Sequence, residues 1–374
     1  MPPQGPQGPW QGQGATPGQP QPYATAYTQQ GPGQPSKKSK TGLWIGLGAL
    51  AVVVVVAIVL GLSGIFSGTK TTDSGAEIPK DPKEAAKTVA TNYLTAISEG
   101  RAEDAKKFLK YQSDDATLLT DDVLKDSLTR APITEITVGE PTGSSTSLTV
   151  SVTYKVGSES ASDEYRVDTD GGTISTTLPT LYLNRFKGVD LTVNGATVKP
   201  QESKSNAVFP GSYTVASANK YLEVTGDTTI IRTSGTDSKS PNLELGVSQA
   251  GIELFREKVL PEAKACLESK ALSPGCGITM SGELRGGETL QDGTVNRTQN
   301  AEAQSKMENV VPKVGTSVPT IISSSDFGNF EISGICTVGD RQGQCEIMAF
   351  GRSTRWGTAS INVAEEDPKV QWDS

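Results

Sequence analysis

The residues with the most definite chemistry in this chain are its four cysteines, Cys266, Cys276, Cys336 and Cys345. They fall in two close pairs near the C-terminal end. Four cysteines permit three connectivities, and pairing within each close pair is the economical one. The first pair would close a loop after a helix. The second would cross-link two strands through "TVGDRQGQ", which suits disulfide geometry if the cysteines face each other across the ladder. A loop of about ten residues closed in this way gains about 2–3 kcal/mol in the chain-entropy model. A metal site would need CxxC spacing or histidine partners, and the chain has neither. A redox-active pair is the remaining alternative, and structural disulfides are the reading adopted.

Other catalytic vocabulary is thin. Without histidine a Ser-His-Asp triad is excluded, and no GxSxG, SxxK or P-loop pattern occurs. The acidic runs "SDD" at 113–115 and "DD" at 121–122 read as loop and helix-start residues, because helix N-termini favour carboxylates. No catalytic, cofactor-binding or metal-ligating residue is assigned, no cofactor is expected, and the chain reads as non-enzymatic.

The elements that carry the cysteines decide the compartment they occupy. Residues 1–41 form a Pro/Gln/Gly-rich tail, with no charged residue before Lys37. Such a segment has too little apolar surface to offset chain entropy and reads as disordered. Lys37, Lys38 and Lys40 follow, and then no charge occurs from Thr41 to Thr69. A helix over 42–66 would be about 37 Å long, enough to cross a hydrocarbon core of about 30 Å. It has no polar face, and Trp44 stands at its basic end, where an amphipathic ring suits the interface. A cleavable signal usually has a shorter apolar stretch of roughly 7–15 residues, and no cysteine follows for lipid attachment. This segment reads as a transmembrane helix.

The lysines place the tail in the cytoplasm and everything after Lys70 outside, where disulfides persist. Removing the three tail lysines from 34 basic residues leaves 31 against 42 acidic ones, a net charge of about −11. That balance argues against nucleic acid. The tail, with Trp10, Tyr23 and Tyr27, is free to meet a cytoplasmic partner. GxxxG spacings at Gly42 and Gly46, and at Gly64 and Gly68, are compatible with a homodimer.

After a linker at 67–80, order is expected from Asp81-Pro82-Lys83-Glu84, where an N-cap, a first-turn proline and a capping-box glutamate coincide. Ala86, Val89, Ala90, Tyr93, Leu94 and Ile97 recur at helical spacing, and Gly100 ends the run. A second helix is expected over "RAEDAKKFLKY" and a third from Thr120. The period then changes to two. "ITEITV" and "LTVSVTYKV" read as strands, and "EYRVDTDGGTISTTL" reads as a hairpin around Asp170-Gly171-Gly172. Helices followed by a strand meander make an α+β layer.

A small all-β module over 188–247 is expected next, with a hairpin turn at Asn194-Gly195 and a tight turn at Phe209-Pro210-Gly211 delivering Tyr213 and Val215 to one face. The segment 248–374 reads as a Cys-containing α+β domain. Its helix has Ile252, Phe255, Val259, Ala263, Cys266 and Leu267 on one face, with Pro261 expected to kink or restart it. "SGELRGGETLQDGTVNRTQN" reads as loop, followed by short strands.

Two stretches carry a resemblance. "AAKTVATNYLTAISEGRAEDAKKFL" resembles the opening helices of NTF2-like domains in exported bacterial proteins, and the resemblance covers 81–183. It implies a curved antiparallel sheet forming a cone, with Asp, His or Tyr inside in the enzymatic members. No motif in the sequence places an acid there. "VDLTVNGATVKP" with "VFPGSYTVASANKYLEV" is similar to a small β module of Gram-positive envelope proteins associated with teicoplanin resistance. The whole architecture resembles actinobacterial envelope proteins. The resemblance implies a single-pass extracytoplasmic binding or scaffold protein whose partner is an envelope protein or cell-wall component. A small-molecule sensor using an NTF2-like pocket, or an NTF2-like enzyme, is the alternative.

Overall fold

The computed structural model describes residues 70–71, 77–144, 147–201, 205–237, 241–284, 286–347 and 355–373. The tail, the orienting residues Lys37, Lys38, Lys40 and Trp44, and the span expected at 42–66 lie outside the described residues. Among the described residues no helix is long and apolar enough to cross a membrane. What is described is α+β, mostly antiparallel sheet, with five α-helices among those residues.

A short pair, β1 (Lys70–Thr71) and β2 (Glu77–Ile78), precedes helix α1 (Pro82–Ser98). The Asp81 carboxylate accepts the Lys83 and Glu84 N–H groups at 2.9 and 3.1 Å, as an N-cap should. Beyond the C-cap, Gly100 takes φ +73°, the left-handed conformation that suits glycine. All six residues expected on the inner face of α1 are buried.

Helix α2 (Ala102–Lys107) is shorter than its sequence pattern suggests. The chain leaves the helix at Phe108 because its backbone joins a sheet edge instead. Ile174 N–H donates to Phe108 O, and Lys110 N–H donates back to Ile174 O. Phe108 and Leu109 stay buried by that route. Helix α3 (Asp121–Arg130) starts at Thr120, whose hydroxyl accepts the Val123 N–H.

Five strands then form one sheet: β3 (Ile133–Val138), β4 (Thr142–Ser144), β5 (Ser147–Val156), β6 (Glu159–Asp168) and β7 (Thr173–Ser175). Their order is β3-β5-β6-β7, with β4 also paired to β5. Leu148, Val150, Val152, Tyr154 and Val156 all point to the buried face, as strict alternation requires. α1 lies against that face, and the Tyr93 ring meets Tyr165 edge-on at 5.5 Å.

The next stretch is all β. β9 (Leu191–Val193) and β10 (Ala196–Val198) form a hairpin around Asn194 and Gly195, both at positive φ. They join β12 (Gly211–Ser217) and β14 (Thr229–Arg232) in the order β10-β9-β12-β14. Two further pairs flank this sheet. β8 (Thr180–Leu181) pairs with β11 (Asn206–Ala207), and β13 (Leu222–Gly226) pairs with β15 (Leu243–Val247).

Helix α4 (Gln249–Glu268) buries Phe255, Val259, Ala263 and Cys266, while Ile252 and Leu267 are only half-buried. It runs unbroken through Pro261, which sits on the exposed side. The stretch expected to be loop contributes two short strands, β16 (Thr289–Leu290) and β17 (Asn296–Thr298). Their signal is too short for periodicity to show. Both line up on β20 (Glu331–Val338), whose other edge carries β21 (Arg341–Ile347). After α5 (Ala301–Glu308), β18 (Lys313–Val314), β19 (Ile321–Ser324), β22 (Thr358–Asn362) and β23 (Gln371–Asp373) make a second sheet, in that order.

Two buried clusters hold this together. One joins α1, α2 and the first sheet, and takes in Phe209 from the β module. The other runs continuously from Leu181 to Val363, and takes in Leu118 and Val123 from the first segment. The exchange of side chains between the two cores fixes the β module on the first α+β layer.

Candidate functional site

Strand β6 carries Ala161, Asp163, Tyr165 and Val167 on one parity, the face that α1 covers. Ala161, Tyr165 and Val167 are buried, and Asp163 is half-buried, in register with the buried Val152 of β5. An acid therefore stands on the inner face of the sheet. Loss of hydration pushes its carboxyl above the ordinary carboxylate range. Three phenols stand near it. Burial holds the phenols of Tyr93, Tyr165 and Tyr154 well above the ordinary phenol pKa, so they keep their protons. The Tyr154 hydroxyl donates to the Thr233 carbonyl at 2.6 Å. Leu94, Ile97 and Phe209 belong to the same buried cluster as Tyr93, Tyr154 and Tyr165.

Sequence reasoning missed Asp163. The signal was there: the alternation of "ASDEYRVD" assigns Asp163 the same parity as Tyr165 and Val167. Starting the strand at Glu164 cut the acid off from its pattern.

An open cleft of about 480 Å³ lies where the α2–α3 connection meets the β module. Asp114, Asp115 and Thr117 form one wall, and Thr197, Lys199, Gln201 and Asn206 the other. Asp115 is the joint between them. Its carboxylate accepts the Thr117 N–H at 3.0 Å and the Asn206 side-chain amide at 2.9 Å. Asn206 is itself buried, so the wall is built before any ligand arrives. The run "SDD" is a loop, as its composition suggests, and Asp115 ties that loop to the β module. The run "DD" does start α3, and the Asp121 carboxylate also accepts the Glu103 N–H at 3.0 Å, which holds its pKa below the usual carboxylate range.

The four cysteines form Cys266–Cys276 and Cys336–Cys345, with Cα separations of 6.3 and 5.8 Å. The second bridge runs diagonally across the β20–β21 ladder, since Cys336 registers with Gly343 and Cys345 with Gly334. The first closes a loop held from within by the buried Arg297, which donates to the Ser269 and Ala271 carbonyls at 2.8 Å each. Its burial lowers the guanidinium's proton affinity. A second buried arginine, Arg232, donates from Nε to the Thr180 carbonyl at 2.9 Å and lies 4.0 Å from the Asp237 carboxylate. Both arginines sit at inward strand positions, which composition alone does not reveal.

Among the described residues no group of three or more His, Cys, Asp or Glu side chains gathers around a common point. No family model, curated protein or solved structure matches this chain.

Proposed function

We propose that this chain is a single-pass membrane protein whose described part faces outside the cytoplasm as a binding or scaffold module of the bacterial cell envelope. On this reading the first α+β layer is NTF2-like. The β module is of the kind found in teicoplanin-resistance-associated membrane proteins, and the origin is Gram-positive. The partner is an envelope protein or a cell-wall component. The observation that carries the reading is that both cysteine pairs are closed, on the C-terminal side of an uncharged apolar stretch flanked by lysines. Disulfides persist in oxidising compartments, and the lysines orient the stretch the same way. The apolar cluster packed on the inner face of the first sheet weighs for an external binding surface over an enclosed sensor pocket. A reporter enzyme that works only after export, fused behind Ser374, tests the topology. It should be active in intact cells, and activity confined to the cytoplasm would refute the reading.

One observation favours a second reading, an enzyme in the NTF2-like layer. Asp163 is a half-buried acid with a raised proton affinity beside three phenols, an arrangement suited to general acid–base work. A turnover abolished by Asp163→Asn, with the fold intact, would promote it.

A further inference from the structure

We propose that the cleft between the α2–α3 connection and the β module binds a neutral saccharide. The proposal rests on the reading of an outward-facing binding protein and names the chemistry that it would recognise. The cleft measures about 480 Å³, within the range of roughly 300–1,000 Å³ typical of small-molecule sites. Its walls are prefolded by the Asp115–Asn206 bond of 2.9 Å and by the Thr117 N–H on Asp115 at 3.0 Å. Prefolding matters, because a wall already ordered costs little to order again on binding.

The groups that remain to meet a ligand include both donors and acceptors. The carboxylate of Asp114, the hydroxyls of Thr117 and Thr197 and the amide of Gln201 line the cleft without hydrogen bonds to other described groups. Among the described residues two carboxylates, Asp114 and Asp115, line the cleft with one ammonium, that of Lys199, which also lies 3.8 Å from Asp190. The carboxylates disfavour an anion. A ligand that needs donors and acceptors at once, is not an anion and offers a C–H face to the exposed Ala116 is a polyhydroxylated ring.

The test uses the full-length chain in detergent micelles, with chitotetraose and cellotetraose as probes, read by saturation-transfer NMR and by titration. At least one probe should bind saturably, and Thr197→Trp, which fills the cleft, should abolish the signal. The double variant Asp114→Asn/Gln201→Ala should weaken binding at least tenfold with an unchanged melting transition. That exposed pair carries the test if Thr197→Trp does not fold. No saturable binding of either probe, or binding that survives these variants, overturns the proposal. Export of the described part without saccharide binding would sink this proposal alone. Saccharide binding by a chain whose C-terminal part stays in the cytoplasm would sink the functional reading alone.

Discussion

The backbone N–H of Ser212 donates to the hydroxyl of Ser127 over 2.7 Å, and this bond joins the β module to helix α3. Both residues are buried. The neighbouring Tyr213 ties the same stretch to itself, since its hydroxyl donates to the Phe209 carbonyl at 2.6 Å. The "FPGSY" stretch is thus a docking device. Gly211 is required in it because a Cβ would stand 2.1 Å from Ser127 Oγ. Gly211→Ala should destabilise the protein by about 1–3 kcal/mol through overpacking. Ser127→Ala should cost about 1–3 kcal/mol by orphaning a buried N–H. Because the two changes touch the same contact, the double variant should cost less than their sum in denaturant melts. Strict additivity would mean that the junction is not the shared cause.

The second anchor is Asn194, at φ +47° in the hairpin turn. Its amide donates to the carbonyls of Val123 and Ser212 at 3.2 and 3.0 Å. Its oxygen accepts the Thr214 N–H at 2.8 Å and Arg130 at 2.6 Å. Asn194→Gly keeps the backbone geometry and removes the bonds, whereas Asn194→Ala loses both. Melts should therefore show Asn194→Ala as less stable than Asn194→Gly by about 1 kcal/mol. Equal losses would show that the positive φ contributes nothing.

Asp163 makes a pH prediction. Burial holds its folded-state value above the ordinary 3.8. For a carboxyl shifted in that direction, the folded state binds the proton more tightly than the unfolded one. The contribution to stability is therefore full below the unfolded value and is lost as pH rises through the folded value. Asp163→Asn cannot ionise, so it should be more stable than the parent near neutral pH and equal to it at acid pH below the unfolded value. Thermal melts across that range measure the difference. An advantage that grows toward acid pH would contradict the assignment.

Each disulfide closes a short local loop. Replacing both members of either pair by serine should lower stability by about 2–3 kcal/mol. Non-reducing peptide mapping of material from the membrane should recover Cys266 with Cys276 and Cys336 with Cys345. Free thiols there would count against the oxidising compartment, and crossed pairs would count against the connectivity.

Much of the fold was legible in the sequence because its signals are local. The Asp81 cap, the Thr120 start, the alternation over Leu148 to Val156 and the Asn194-Gly195 turn each fall within a few residues. What was not legible depends on distant partners. The early end of α2 follows from Ile174, and β16 and β17 exist only because β20 offers them an edge. The cleft joins residues 91 positions apart at Asp115 and Asn206, and no spacing rule reaches that far. Asp163 was the exception. Its parity was readable, and only the choice of strand start hid it.

The central claim is the side of the membrane on which the described part lies. Protease added to intact spheroplasts tests it most directly, with antibodies against each end of the chain as the readout. The account predicts that everything beyond Lys70 is digested while a fragment with the Pro/Gln/Gly tail and its three lysines survives. Survival of the whole chain until the membrane is broken would contradict it.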